Sequence, residues 1–193
     1  MCGMNDRENA LVERVLNGDL VAFEPLVMPY RKPLLGLACR ITRNPEDAKE
    51  VAQETFLRAF KYLKSFDLEK DFKSWIFQIL VRVARNYRHK QSKYEVLAMS
   101  EPAKTMAIAP GQNPERRHDG DEIRSRLSDC LDALTPREKE VFLLRDIEDM
   151  NIRESARILG CSAVSVRVHL SAARRKIRAR IKERYPELME GSR

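Results

Sequence analysis

The side chains between residues 165 and 175 have the types and spacing that read the edges of DNA base pairs. They combine hydroxyl, imidazole and guanidinium donors with one valine: Ser165, Arg167, Val168, His169, Ser171, Arg174 and Arg175. Arginine can donate two parallel hydrogen bonds to guanine, and an apolar side chain can contact the thymine methyl group. Apolar residues recur among them at helical spacing: Val166, Leu170, Ala173 and Ile177. The segment therefore predicts an amphipathic helix that turns its donors away from the core.

The residues before this helix predict a helix-turn-helix. Ala156 leaves room for close helix approach, Gly160 can adopt the left-handed conformation of a sharp turn, and Ser162 is a good N-cap. The second helix of such a motif enters the major groove by its N-terminal half. An ordinary pair of helices with a solvated basic face remains the alternative for this pattern alone.

A second basic segment follows a run of aromatic residues. Phe72, Trp75 and Tyr87 share one face of a predicted helix, and its end carries Arg82, Arg85, Asn86, Arg88, His89 and Lys90. Aromatic and cationic side chains together bind unpaired bases and their phosphates. Cations at a helix C-terminus also complement the helix dipole, so this charge has a structural explanation as well.

The helix that starts at Asn44-Pro45 and runs to about Leu63 has a polar face of a different kind. A buried stripe is predicted at Ala48, Val51, Ala52, Thr55, Phe56, Ala59 and Leu63. The remaining face carries Glu46, Glu50, Gln53, Glu54, Leu57 and Lys61. Acidic residues on a solvated helix are common, so this face predicts no function by itself.

The composition and the short motifs of the chain limit the classes of protein to which it can belong. The 193 residues carry a net charge of +7 and a pI of about 9.4, which favours a polyanionic partner. The four cysteines show no metal-ligand spacing, so we expect reduced, mostly buried thiols and no metal or cofactor. No phosphate loop or catalytic pairing stands out, so we expect no catalytic residues and no enzyme. Without a signal segment or a long apolar run, a cytoplasmic protein with no stable membrane insertion is expected.

The pattern predicts an all-α fold of two small helical domains joined by a flexible linker. The first domain spans residues 6–97, the linker 98–121 and the second domain 122–185. Within the first, we predict a helix from Asp6 to Leu16, two helical pieces interrupted by prolines with Pro33 in the first turn of the second, and a loop over residues 64–71. In the second, Thr135-Pro136-Arg137-Glu138 predicts a capping box.

The order of these elements resembles a bacterial sigma factor of the extracytoplasmic-function type, group four of the sigma-70 family. "EDAKEVAQETFLRAFKYLKSF" resembles the core-binding helix of that family, and "DFKSWIFQILVRVARNY" its −10 and strand-melting helix. "LTPREKEVFLLRDIEDMNIRESARILGCSAVSVRVHLSAARRKI" resembles its −35-binding region 4. The resemblance covers about residues 6–97 and 122–183, in the same order and with a linker of fitting length.

The resemblance implies a role for each face. The face that docks on the clamp coiled coil of the largest RNA polymerase subunit matches Asp47, Glu50, Gln53, Glu54 and Leu57. The part that captures a flipped −10 base and the non-template strand matches Ser65, Phe66, Lys73, Arg82, Arg85, Asn86 and Arg88. The −35 reader matches the donor set between residues 165 and 175. Expected partners are core RNA polymerase, including its β flap, promoter DNA and an anti-sigma factor.

A stand-alone helix-turn-helix regulator is the alternative function, because such a protein needs only the second domain. The Gln53-Glu54 face and the aromatic helix argue against it, since a regulator has no use for either.

Several residues depart from the family pattern. Val168 and Ala172 replace the usual residue types, so the −35 sequence cannot be inferred, and Ser155 stands where an isoleucine is frequent.

Overall fold

The computed structural model describes residues 4–99 and 118–186, with side chains described over residues 6–91 and 125–186. Nine α-helices occur in these ranges: α1 (Met4–Leu16), α2 (Phe23–Val27), α3 (Arg31–Thr42), α4 (Pro45–Tyr62), α5 (Phe72–Met99), α6 (His118–Asp132), α7 (Pro136–Phe142), α8 (Ile152–Leu159) and α9 (Ala163–Arg184). The described ranges contain no strand. The predicted all-α fold with two helical domains is therefore confirmed.

The prolines of the first domain each lie in the first turn of a helical segment. Pro25 lies in the first turn of the short helix α2, Pro29 is the second residue of a 3-10 turn over Met28–Tyr30, and Pro33 is the third residue of α3. Proline lacks an N–H, and the first turn is the part of a helix where that donor has no intrahelical acceptor. The prediction that Pro33 lies in a first turn is confirmed. The single helical piece expected before α3 is instead divided into 3-10 turns at Leu20–Ala22 and Met28–Tyr30 and the short helix α2 between them.

Side-chain caps fix the starts of four helices. The Asn44 side chain accepts from the backbone N–H of Glu46 at 2.8 Å, as the Asn-Pro pair predicted for α4. The predicted capping box of Thr135 and Glu138 is present at α7. A second capping box, which the sequence analysis did not identify, joins Asn151 and Glu154 at the start of α8. Ser162 caps α9.

The helix-turn-helix has the predicted turn. Helix α8 (Ile152–Leu159) ends at Gly160, whose φ of 64° is the left-handed conformation that glycine adopts without steric cost. Helix α9 then buries one stripe against α7 and α8: Val166, Leu170, Ala173 and Ile177. This is the stripe that the sequence spacing predicted, so the opposite face of α9 is the one left to solvent.

The two domains are in contact, which the sequence analysis did not predict. Helix α5 of the first domain packs against α8 of the second, and the buried apolar residues of both form one continuous cluster. Helix α5 continues to Met99 and α6 begins at His118, so helices occupy both ends of the predicted linker. The middle of that linker, residues 100–117, lies outside the described residues.

Ser155 provides a test of the packing within the second domain. Its side chain is fully buried, and its hydroxyl has no hydrogen-bond partner. We expect Ser155→Ala to stabilise the chain by about 1 kcal/mol and to raise Tm by about 3 °C, because an unpaired buried hydroxyl is removed and alanine favours the helix. Thermal unfolding followed by circular dichroism measures the change.

The control replaces a serine that does have partners. Ser162 accepts from the backbone N–H of Ser165 at 3.0 Å, so Ser162→Ala should destabilise the chain by about 1 kcal/mol. A loss of stability in Ser155→Ala would show that its hydroxyl has a partner in solution.

Candidate nucleic-acid interface

The donor face of α9 is largely open to solvent. Arg167, Val168, Ser171 and Arg175 are exposed, with Val168 60% exposed. Ser165 and His169 are half-buried, and the Ser165 hydroxyl lies 2.9 Å from that of Ser162. The exposed valine lies among cationic and hydroxyl groups, and this combination suits contact with base edges and the thymine methyl group.

Arg174 differs from the rest of this face. Its guanidinium donates two hydrogen bonds to the Asp146 carboxylate, at 2.9 and 2.5 Å, and the bonded carboxylate raises the pKa of Arg174. Asp146 lies in the π-helical turn over Leu143–Ile147 that follows α7. Arg174 therefore links α9 to that turn. The Nε and Nη2 donors of Arg174 are both bonded to Asp146 in this conformation and are not free to read a base.

The polar face of α4 is partly organised by α5. The Tyr87 hydroxyl donates to Asp47 Oδ1 at 2.8 Å, and this bond raises the pKa of Tyr87 to about 12. Glu54 pairs with Arg58 one turn later at 2.6 Å. Glu50, Gln53 and Leu57 are exposed, so these three side chains of the polar face are open to solvent.

An apolar groove borders this face, and the sequence analysis did not identify it. Leu57 is 58% exposed and Phe60 43% exposed, which is unusual for side chains of this size. The Phe60 ring packs edge-on against Phe23, with 5.1 Å between ring centroids. The groove has a volume of about 990 Å³ and also contains Met28, Leu35 and Phe56. The sequence signal was present, because Phe60 falls outside the buried stripe of α4.

The loop before α5 is fixed by an aromatic cluster. Phe66 is 7% exposed and packs against Phe72 and Trp75, with centroid separations of 5.5 and 5.0 Å. The Ser65 hydroxyl donates to the backbone carbonyl of Tyr62. Phe66 was expected to contact DNA, but in this conformation its ring is inside the core, where a base cannot stack on it. Its position supports the loop instead.

The basic residues of α5 divide into an exposed and a covered group. Arg82 and Asn86 are exposed. Lys73 donates to the backbone carbonyl of Glu148 at 3.0 Å. Arg85 donates to both carboxylate oxygens of Glu140, at 2.8 and 2.6 Å. Both acceptors belong to the second domain, so that domain lies over part of the predicted strand-binding surface.

Arg88 lines a cavity of about 770 Å³ between the domains. Arg43, Arg137 and Lys139 also line it, so cations predominate there. Burial lowers the pKa of Lys139, and the neighbouring Arg43 lowers it further. The side chain of Lys139 is 6% exposed and lies 3.6 Å from Asp132, its acidic neighbour.

The described residues form neither a membrane-spanning segment nor a metal centre. Across residues 4–99 and 118–186, no helix has both the length and the apolar character needed to cross a membrane. No cluster of three metal-ligating side chains occurs there either. Cys130 is buried, Cys39 and Cys161 are half-buried, and all three are free thiols. Cys2 lies outside the described residues.

Two family models match the chain in the order in which its domains occur. Sigma-70 region 2 matches residues 26–94, and sigma-70 region 4 matches residues 124–177. The first match contains the α4 face and the aromatic helix, and the second contains the helix-turn-helix. A stand-alone regulator is therefore not favoured, because the first domain has a sigma-factor counterpart of its own.

Relatives match over nearly their full length. The chain is 31% identical to the ECF RNA polymerase sigma-E factor of Haemophilus influenzae, over 90% of this chain and 95% of the relative. It is 28% identical to the RNA polymerase sigma-H factor of Pseudomonas aeruginosa, over 89% and 92%.

Two solved structures share the fold. CnrH in complex with the cytosolic domain of CnrY is 24% identical, with a TM-score of 0.70 over 92% of this chain and 99% of that one. The sigma factor RpoE in complex with the anti-sigma factor NepR from Bartonella quintana is 19% identical, with a TM-score of 0.68 over 83% and 96%. With both sigma-70 regions and near-complete relatives matched, the chain belongs to the extracytoplasmic-function group of the sigma-70 family, whose members direct promoter-specific initiation by RNA polymerase.

Proposed function

We propose that three separate surfaces of this sigma factor carry core binding, −10 strand capture and −35 reading. The observation that supports this division most directly is the exposed centre of the donor face of α9, Arg167, Val168 and Ser171, which lies outside the buried stripe of that helix. The core-binding face is Asp47, Glu50, Gln53, Glu54 and Leu57. The chain then acts as a specificity subunit that performs no catalysis of its own.

The α4 face suits a partner that is itself a helical protein surface. It combines carboxylates, an amide and the exposed Leu57, and the apolar groove continues from it. Interfaces that carry affinity join an apolar centre to a polar rim in this way. We assign the face to the clamp coiled coil of the largest polymerase subunit, with the groove as its apolar extension.

The strand-binding surface comprises the end of α5 and the preceding loop. Arg82 and Asn86 are the residues available to an unpaired strand in this structure, and Lys73, Arg85 and Arg88 join them when the second domain moves away. Flipping a base costs a few kcal/mol, which stacking, phosphate pairing and the contacts of core polymerase supply together. Ser65 and the buried Phe66 position the loop.

The −35 surface is the N-terminal half of α9. Arg167, Val168 and Ser171 are its exposed centre, with Ser165, His169 and Arg175 around them. Arg174 contributes through its bond to Asp146, which holds the helix in place. The second domain also contacts the β flap of core polymerase in this proposal.

Arg167 tests the −35 assignment. If it reads a base, Arg167→Ala weakens binding of holoenzyme to its promoter by roughly 1–3 kcal/mol and relaxes selectivity at one −35 position. Promoter binding and run-off transcription across all single substitutions of the −35 element measure both effects. A phosphate contact would instead weaken all sequences equally and reduce the salt dependence.

Lys182→Ala is the matched control, because Lys182 is an exposed cation on the same helix. It lies fifteen residues further along, about 22 Å away along the helix axis. Selectivity should be unchanged in this variant. If Arg167→Ala changes neither affinity nor selectivity, another element reads the −35 sequence.

An anti-sigma factor is the remaining proposed partner. The two solved structures described above are complexes, one with the cytosolic domain of CnrY and one with the anti-sigma factor NepR. The exposed apolar groove and the α4 face supply a surface that an inhibitor would have to cover in order to exclude core polymerase. Because both polymerase and promoter are cytoplasmic in bacteria, we place the protein in the cytoplasm.

A further inference from the structure

The cavity between the two domains is lined by more positive than negative charge. Its described lining includes five cationic side chains, drawn from both domains: Arg43, Arg85, Arg88, Arg137 and Lys139. Glu140 is the one carboxylate among the described lining residues, and Asp132 beside the cavity pairs with two of the cations. Five cations therefore face two carboxylates, which leaves an excess of three positive charges among the described side chains.

The two carboxylates are each shared between cations. Glu140 accepts two hydrogen bonds from Arg85, at 2.8 and 2.6 Å, and a longer one from Arg137 at 3.4 Å. Asp132 pairs with Arg43 at 2.8 Å. Both acids are thus engaged by these three guanidinium groups, and the remaining two cations of the cavity depend on weaker contacts.

Arg88 and Lys139 are those two cations. No hydrogen bond or ion pair joins Arg88 to another described side chain. The buried ammonium of Lys139 lies 3.6 Å from Asp132, which is longer than a normal hydrogen bond. Burial lowers the pKa of Lys139, and Arg43 and Arg88 lower it further against the opposing effect of Asp132. An anion placed among these three cations would offset both the burial and the repulsion.

We propose that this cavity binds a small anion with two or more phosphate groups, which pairs with cations of both domains. A guanidinium donates two parallel hydrogen bonds to phosphate oxygens, and an ammonium binds phosphate as a point charge. The volume of about 770 Å³ lies within the range of roughly 300–1,000 Å³ that is usual for small-molecule sites. Ile41, Leu134 and Pro136 also line the cavity, which leaves an apolar wall for a nucleoside attached to the phosphates. The site stands on this cavity and does not depend on the assignment of Arg88 to strand binding.

Isothermal titration calorimetry of the intact chain with inorganic pyrophosphate, without magnesium, polymerase or DNA, tests the site. We expect one pyrophosphate per chain, bound at least about tenfold more tightly than sulfate at equal ionic strength, because pyrophosphate carries more charge and can span two cations. Pyrophosphate at about a hundredfold excess over its Kd should raise Tm by about 5 °C. ADP, titrated in parallel, distinguishes the sources of the phosphates. Tighter binding of ADP than of pyrophosphate assigns the site to a nucleotide, and equal or weaker binding assigns it to an inorganic polyphosphate.

Two substitutions each remove one cation, from opposite sides of the cavity. Arg88→Gln changes the first domain, and Lys139→Met replaces the buried lysine of the second domain with an uncharged side chain of similar shape. Each should weaken pyrophosphate binding by about tenfold or more, because a charge-assisted hydrogen bond is lost. Lys90→Gln is the matched control, since Lys90 is an exposed cation of α5 that borders the α4 face instead of this cavity. It should keep the wild-type affinity.

The proposal is overturned if pyrophosphate and ADP bind no more tightly than sulfate. It is also overturned if Arg88→Gln and Lys139→Met remain folded by circular dichroism and match Lys90→Gln in affinity. If Lys139→Met does not fold, Arg88→Gln decides the question, because Arg88 is half-buried and has no described ion pair on which folding depends. Binding of an oligothymidylate without any binding of pyrophosphate or ADP would overturn it too, since these cations would then serve a nucleic-acid strand alone.

Discussion

Replacing Gln53 and Glu54 with lysine should abolish association with core RNA polymerase while the chain stays folded. Both side chains lie outside the buried stripe of α4, with Gln53 exposed and Glu54 half-exposed. Removing one partner of a buried interfacial charge pair costs about 2–5 kcal/mol, and a reversed charge adds repulsion. We therefore expect a loss of at least about a hundredfold in affinity for core, measured by fluorescence anisotropy of labelled sigma factor.

The fold should tolerate these changes because neither side chain is part of the core of the first domain. Glu54 pairs with Arg58 on an exposed helix surface, and such a pair contributes only about 0.3–0.5 kcal/mol. Glu13→Lys on α1 is the control, because it reverses an exposed charge away from the α4 face. Wild-type affinity of the double variant for core, with the control unchanged, would refute the assignment of this face.

Local signals predicted most of the helices. Asn44 before Pro45, Thr135 with Glu138, and Gly160 before Ser162 each fix a helix end through bonds between neighbouring residues. Bonds of this kind join residues that are close in the chain, so the local sequence is enough to predict them. The buried stripe of α9 was predictable for the same reason, since helical periodicity alone places those residues on one side.

Contacts between distant residues could not be predicted in this way. Arg85 and Glu140 are 55 positions apart, and nothing in either local pattern indicates that they meet. The π-helical turn over Leu143–Ile147 has no proline or glycine to mark it, and it places Asp146 against Arg174. Two cations expected to contact DNA thus have carboxylate partners, which only the three-dimensional structure shows.

Phe66 shows that the exposure of an aromatic side chain decides whether it anchors a loop or can stack on a base. Its position in the loop suggested stacking on a base, but the ring is buried between Phe72 and Trp75. Sequence spacing cannot distinguish an aromatic side chain that anchors a loop from one that the loop presents to DNA. A deletion in this loop would disturb the core, so strand opening is better tested on exposed residues of α5.

Replacing both Arg82 and Asn86 with alanine should prevent promoter opening and spare the earlier steps. Both residues are exposed on α5 and neither belongs to the α4 face or the α9 reader, so core association and closed-complex formation should remain normal. Because Asn86 borders the α4 face beside Gln53 and Glu54, the affinity for core is measured in parallel. Contacts of a single strand with stacking and cationic groups contribute about 1–3 kcal/mol per base. We expect the permanganate reactivity of thymines at the −10 element to fall by about tenfold or more, as measured by footprinting of holoenzyme on duplex DNA.

A promoter with a pre-melted bubble separates unpairing from strand capture. The cost of unpairing is already removed in the bubble, so the defect of the double variant should shrink there. Part of it should remain, because the strand still loses the contacts of Arg82 and Asn86. Arg7→Ala, which removes an exposed cation on α1, controls for loss of charge elsewhere in the first domain. Normal thymine reactivity of the double variant on duplex DNA would show that strand opening depends on other residues.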